Sequence, residues 1–135
     1  MRRYVIAEDL ALRAIQVQYE ATLNRQITWG RDNGFDGAFA KDGRLHVVEV
    51  KYVSNGGSEL PLRRAAKRLA SAIQGYGWKS VTILLVAVYE NANDMPGPTL
   101  SDAPAILGYP VKLHRYSIEQ LKANFEAIDS DVEAQ

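Results

Sequence analysis

The sequence predicts an α/β domain with a central mixed sheet of four to five strands flanked by helices, in the order αβββαββα. Three observations predict it. Apolar residues recur at helical spacing near the start, two short apolar runs flank an Asp-Gly turn as in a β-hairpin, and the stretch from Val81 to Tyr89 is apolar throughout. Helices packed on a hairpin-containing sheet follow from that order.

The first element is the helix of residues 4–24, where Val5, Leu12, Ile15, Tyr19 and Leu23 share one face. Strands are expected at 27–31, 35–40 and 44–52. Asp42-Gly43 joins the last two, because this pair tolerates positive φ. "VSNGGSELP" then breaks the pattern. Ser58 is the expected N-cap of a helix over 59–74, with Pro61 in the first turn, where its missing N–H costs little. Gly75 and Gly77 end that helix. The run around Val81 to Tyr89 is a strand covered on both faces. Residues 91–110 read as a long polar loop rich in Pro and Gly, a kind of loop that is often functional. A last strand (111–117), a last helix (118–128) and a polar tail (129–135) complete a single domain over 1–128.

Composition narrows the function classes. At 135 residues, 47% hydrophobic and 24% charged, the chain suits one soluble domain with one sizeable core. Absence of cysteine excludes a disulfide framework and a thiolate metal site, and suits a reducing cytoplasm. The basic start lacks a following apolar stretch, so no signal peptide is expected, and no run is long enough to span a bilayer. Formal net charge is zero, but residues 1–80 hold 13 Lys+Arg against 8 Asp+Glu, and residues 81–135 hold 3 against 8. That asymmetry either presents one positive surface to a phosphate backbone or is a chance clustering of solvated charge.

The hairpin "FDGAFAKDGRLHVVEVKY" carries Asp36, Glu49 and Lys51 within apolar strands. Residues two apart share a strand face, so Glu49 and Lys51 point the same way, and Asp36 joins them if the pairing register allows. Two neighbouring carboxylates repel and are costly to desolvate. A divalent cation resolves that conflict, since both are hard oxygen ligands suited to Mg²⁺. Lys51 beside it would position or deprotonate a water, or stabilise charge on phosphorus. The alternative is a plain salt bridge between Lys51 and a carboxylate.

Asp36 of "FDG", twelve residues and then Glu49 of "VEVKY" resemble the PD-(D/E)xK nuclease superfamily, with its restriction-endonuclease-like fold. Asp36 matches the acidic residue of the first motif and Glu49-Val50-Lys51 matches "ExK"; Phe35 replaces the usual Pro. The resemblance covers most of the chain. It implies Mg²⁺-dependent phosphodiester hydrolysis (Mn²⁺ as a substitute), a metal ligand from the Val50 carbonyl, and a further helix Glu. Glu8 shares the line of Leu12, Ile15 and Tyr19, whereas Glu20 shares a polar line with Asp9, Arg13 and Gln16, so Glu8 is favoured.

Arg63, Arg64, Lys67 and Arg68 stack in i, i+4 pairs, either as a phosphate-contacting face or as a solvated basic face. Gln74, Tyr76 and Trp78 close that helix and offer base contacts or core packing. His46 alternates away from Glu49, and His114 is expected to be structural or exposed. The resulting expectation is a cytoplasmic, homodimeric endonuclease acting on DNA, in the manner of junction resolvases or small defence or repair nucleases. The alternatives are an RNase using the same site, or a non-catalytic nucleic-acid- or protein-binding module.

Overall fold

The computed structural model describes residues 2–29 and 33–125. The tail 129–135, the end of the last helix (126–128) and positions 30 and 31 of the first expected strand lie outside the described residues. Helix α1 spans Arg2–Tyr19, strands β1, β2 and β3 span Asn24–Trp29, Asn33–Lys41 and Arg44–Val53, and helix α2 spans Leu60–Gly75. Strands β4, β5 and β6 follow at Val81–Tyr89, Leu100–Ile106 and Tyr109–Ser117, and a third helix, α3, covers 118–125.

The six strands form one open sheet in the order β1-β2-β3-β4-β6-β5. β1, β2 and β3 make an antiparallel meander, β3, β4 and β6 are parallel neighbours, and β5 returns antiparallel to β6. A parallel pair needs a crossover, and α2 supplies it between β3 and β4.

Strand alternation builds two cores. Val47, Ile83, Leu85 and Ala87 face α2, where they meet Leu62, Ala66, Leu69 and Ile73. Val48, Leu84, Val86 and Val88 face the opposite side with Leu12 and Ile15 of α1 and Leu121 of α3. All nine residues of β4 are buried, which is why its sequence shows no polar alternation.

Three expectations are corrected. The sheet has six strands rather than four to five, because the stretch expected as a loop over 91–110 contains β5 and a 3₁₀ turn at Ala92–Asp94. That stretch is also tied down. Glu90 Oε2 accepts from Asn55 N–H at 3.1 Å, Asp94 Oδ2 accepts from Gly56 N–H at 3.4 Å, and Arg115 Nη1 reaches Pro98 O at 3.4 Å. Helix α1 ends at Tyr19, not near 24, because Glu20 turns into positive φ (51°) and Lys41 Nζ donates to the freed Tyr19 carbonyl. Ser58 lies one residue before the N-cap position of α2, where its hydroxyl accepts the Leu60 N–H at 3.3 Å.

Two polar ties cross the layers. The Glu59 carboxylate at the start of α2 receives both Nε (2.8 Å) and Nη2 (3.1 Å) of Arg115 on β6, and also the Tyr89 hydroxyl. On the other face, Tyr19 Oη and His114 Nε2 are hydrogen-bonded at 2.8 Å. His114 is buried, not exposed.

Candidate active site

The site forms where one ladder stops and its neighbour continues. β2 pairs with β3 from Lys41↔Arg44 to Gly37↔Val48, but β3 stays paired with β4 through Val53↔Tyr89. Beyond Val48, the β2-facing edge of β3 therefore opens into a gap. Asp36 fills it, with its Oδ2 accepting the Val50 N–H at 2.7 Å. The N–H and C=O of one strand residue project toward the same edge, so the Val50 carbonyl points into the gap as well.

Glu49 and Lys51 stand on the α2 side of β3 with Val47 and Val53, which belong to that core. Lys51 Nζ is 3.7 Å from Glu49 Oε1. The Glu49 side chain is 13% exposed and that of Lys51 is 40% exposed, so the carboxylate is inside and the ammonium reaches the solvent.

Glu8 arrives from α1 on the opposite face. A Cβ on Gly37 would sit 2.8 Å from Leu23 Cδ2 and 3.4 Å from Leu12 Cδ2, so glycine lets α1 and its following turn approach β2 closely. Glu8 lies one turn before Leu12 and is thereby brought toward Asp36. Arg25 stands nearby and binds Asp9 Oδ1 at 2.5 Å. Sequence reading did not single out Arg25, because a lone arginine at a strand start carries no motif.

Electrostatics join these groups. Burial, then repulsion from Asp36, pushes the Glu49 carboxyl up to about 7, against the pull of Lys51 and Arg68. Burial also raises Asp36, opposed by the Val50 N–H and by Lys51. Glu8 is raised by burial first and by Asp36 second, with Arg25 and Lys51 pulling the other way. Glu8 and Glu49 thus both sense Asp36, and all three carboxyls sense Lys51. Such strained acids often mark functional sites, because a bound cation relieves the strain.

Among the described residues, no three His, Asp or Glu side chains form a ready-made metal cage. Mg²⁺ does not need one. It retains several waters and takes one or two carboxylates. Asp36, Glu49 and the Val50 carbonyl are hard oxygens of that kind, with Glu8 behind them, so the donor set fits a Mg²⁺ or Mn²⁺ ion.

The remaining candidates separate. Arg68 lies close enough to Glu49 to lower its pKa, whereas Arg63, Arg64 and Lys67 line a cavity on the β5 flank of α2. The basic residues therefore fan around the helix rather than forming one face. Gln74 is exposed at the C-terminal end of α2, beside Trp78 and Leu107, at the opposite end of the parallel strands from Lys51. It is not brought to the site. Tyr76 and Trp78 lie there too, with ring centroids 5.9 Å apart. Glu20 is exposed past the end of α1. His46 stacks on Phe39 at 4.6 Å, on the face away from Glu49. Comparison of the chain with models of protein families and with curated proteins finds no match.

Proposed function

We propose that this protein is a Mg²⁺-dependent nuclease that hydrolyses DNA phosphodiester bonds. The observation carrying this reading is the convergence, at the end of the β2–β3 ladder, of Asp36, Glu49 and Lys51 from two strands and Glu8 from a helix on the other face. Asp36, Glu49 and the Val50 carbonyl would hold the ion, assisted by Glu8. A bound Mg²⁺ supplies charge neutralisation at phosphorus and acidifies a water.

The protein's own residues do the rest. Lys51 extends to solvent beside the Glu49 carboxylate, where it can hold the attacking water and balance negative charge as phosphorus accepts a fifth oxygen. The water oxygen bonds to phosphorus, the bond from phosphorus to one sugar oxygen breaks, and the water's proton is passed on so that the leaving oxygen departs protonated. Arg68 adds positive charge on the α2 side of the same cleft. A homodimer would allow each subunit to cut one strand of a duplex.

The 3.7 Å contact between Lys51 and Glu49 also supports a second reading, in which the pair is only structural and the domain binds nucleic acid or protein without cutting. An RNase using the same groups is a third, because a contact to a ribose hydroxyl leaves no local signature. The test is cleavage of plasmid DNA, branched DNA and RNA in Mg²⁺ and in EDTA. Cleavage is expected in Mg²⁺ only, falling by at least about a hundredfold in Asp36→Asn and in Lys51→Ala. Asn retains an acceptor for the Val50 N–H, so lost activity would not be lost folding. Activity that survives both substitutions, or no Mg²⁺-dependent activity in the unmutated protein, overturns the nuclease reading.

A further inference from the structure

A cavity of about 450 Å³ opens between α2 and the β5–β6 edge, on the flank of α2 away from Asp36. This lies within the range of about 300–1,000 Å³ usual for small-ligand sites. Its floor is aliphatic, with Leu62 and Ala66 from α2 and Leu85, Val111 and Leu113 from the sheet. Its mouth is cationic, formed by Arg63, Arg64 and Lys67, all exposed.

Nearby acids do not balance these cations. Glu59 is occupied by Arg115, and Asp102 pairs with Lys112 at 3.0 Å. Arg63 has only a 4.0 Å contact to that same Glu59, and Arg64 and Lys67 form no ion pair among the described residues. A cavity built this way favours a group with an apolar body and attached negative charge.

The helix connects the cavity to the candidate active site. At 100° per residue, Arg68 lies toward Glu49, Arg64 follows on the crest, and Lys67 and Arg63 descend on the cavity side. A helix with its side chains is about 10–12 Å across, a width that a few nucleotides of single strand can cross. Successive phosphates would meet Arg68, Arg64 and Lys67, leaving a base above the cavity. An acidic peptide would match the mouth but would have no reason to follow the cations to Glu49.

We propose that the α2 face binds DNA with an unpaired single-stranded arm. The arm crosses α2 along Arg68, Arg64 and Lys67, and one of its bases enters the cavity beneath Arg63. This inference rests on the nuclease reading for its choice of ligand, but it is tested by binding alone. Dye-labelled blunt duplexes and duplexes whose single-stranded arm lengthens one nucleotide at a time are titrated by fluorescence anisotropy in EDTA. Affinity is expected to step up about tenfold once the arm is a few nucleotides long, the gain from removing about 55 Å² of apolar surface from water. In Ala105→Trp, which fills the cavity from an exposed position on β5, and in Lys67→Glu, the ratio of armed to blunt affinity should fall toward one. An equal affinity for armed and blunt DNA overturns the proposal, as does a gain that survives both substitutions. Displacement of DNA by an acidic amphipathic peptide, without any arm effect, overturns it in favour of a protein partner. Armed binding without cleavage in Mg²⁺ would retain this inference and reject the nuclease reading.

Discussion

At Glu49, burial and the neighbouring Asp36 hold a proton on the carboxyl up to about pH 7. The unfolded chain releases that proton near the ordinary glutamate value of 4.5. Between these values the folded state binds more protons, so the group costs stability as pH rises through that window. At about 1.4 kcal/mol per pKa unit the full cost approaches about 3 kcal/mol. Glu49→Gln should therefore raise the unfolding free energy of the metal-free protein at pH 8 by about 1–3 kcal/mol, with the gain vanishing near pH 4.5. Urea melts in EDTA at the two pH values measure this. A variant equally stable or weaker at pH 8 would show that the carboxylate is already compensated by Lys51. A gain in stability with a loss of cleavage is the pattern of a residue retained for chemistry. Parity along the strand placed Glu49 and Lys51 together in the sequence. Parity alone could not place Asp36, because its position depends on where the β2–β3 ladder ends, a property of two strands and not of one.

The elements are joined by two polar ties with different consequences. Burial raises the Glu59 carboxyl, but the bonds from Arg115 and Tyr89 outweigh it and hold the group low. Removing only the arginine leaves a buried carboxylate with just the Tyr89 hydroxyl and the 4.0 Å contact to the exposed Arg63. Arg115→Met is expected to cost about 3–5 kcal/mol, and the added Glu59→Gln should restore a large part of it. Thermal melts of both single variants and the double variant close that cycle, and additive losses would mean the pair is not coupled. On the other face, burial holds His114 down to about 4, against 6.5 in the open chain. As pH falls below 6.5 the unfolded state takes up its proton first, so this contribution to stability is lost between about pH 6.5 and 4. A loss of up to about 3 kcal/mol is expected over that range, and His114→Gln should flatten it. Denaturation midpoints across the range provide the check.

Element by element, legibility followed burial. β3, β4 and α2 were readable because each buries a periodic or continuous apolar set. β5 was not, since "LSDAPAI" is an exposed edge strand carrying Pro104 and an irregular register near Ala103. Edge strands tolerate proline and need no apolar alternation. The end of α1 was misplaced because Leu23 continues the apolar spacing after the backbone has left the helix. It is buried there by a turn in which Gln16 Oε1 accepts the Leu23 N–H at 3.1 Å.

Across the whole molecule, charge and topology agree in direction. The basic excess of the first 80 residues includes Lys51, Arg25 and the α2 cations, which border the candidate site and the cavity. Their fan around α2 was not legible, because the sequence gives angles about the helix axis but not which neighbour lies at each angle. No described helix is both long and apolar enough to cross a membrane.

The unequal ladders divide the sheet into parts that need not open together. Five residue pairs hold β2 to β3, while nine hold β3 to β4. Amide hydrogens of the β1–β2 hairpin should therefore exchange with solvent through a partial opening that leaves the parallel strands closed. Asp36 belongs to the opening part and Glu49 to the closed part. An ion held by both would clamp the seam. Saturating Mg²⁺ at about a hundred times its dissociation constant should slow exchange near Asp36 by about a hundredfold, while leaving amides of β4 that exchange by local fluctuation unchanged.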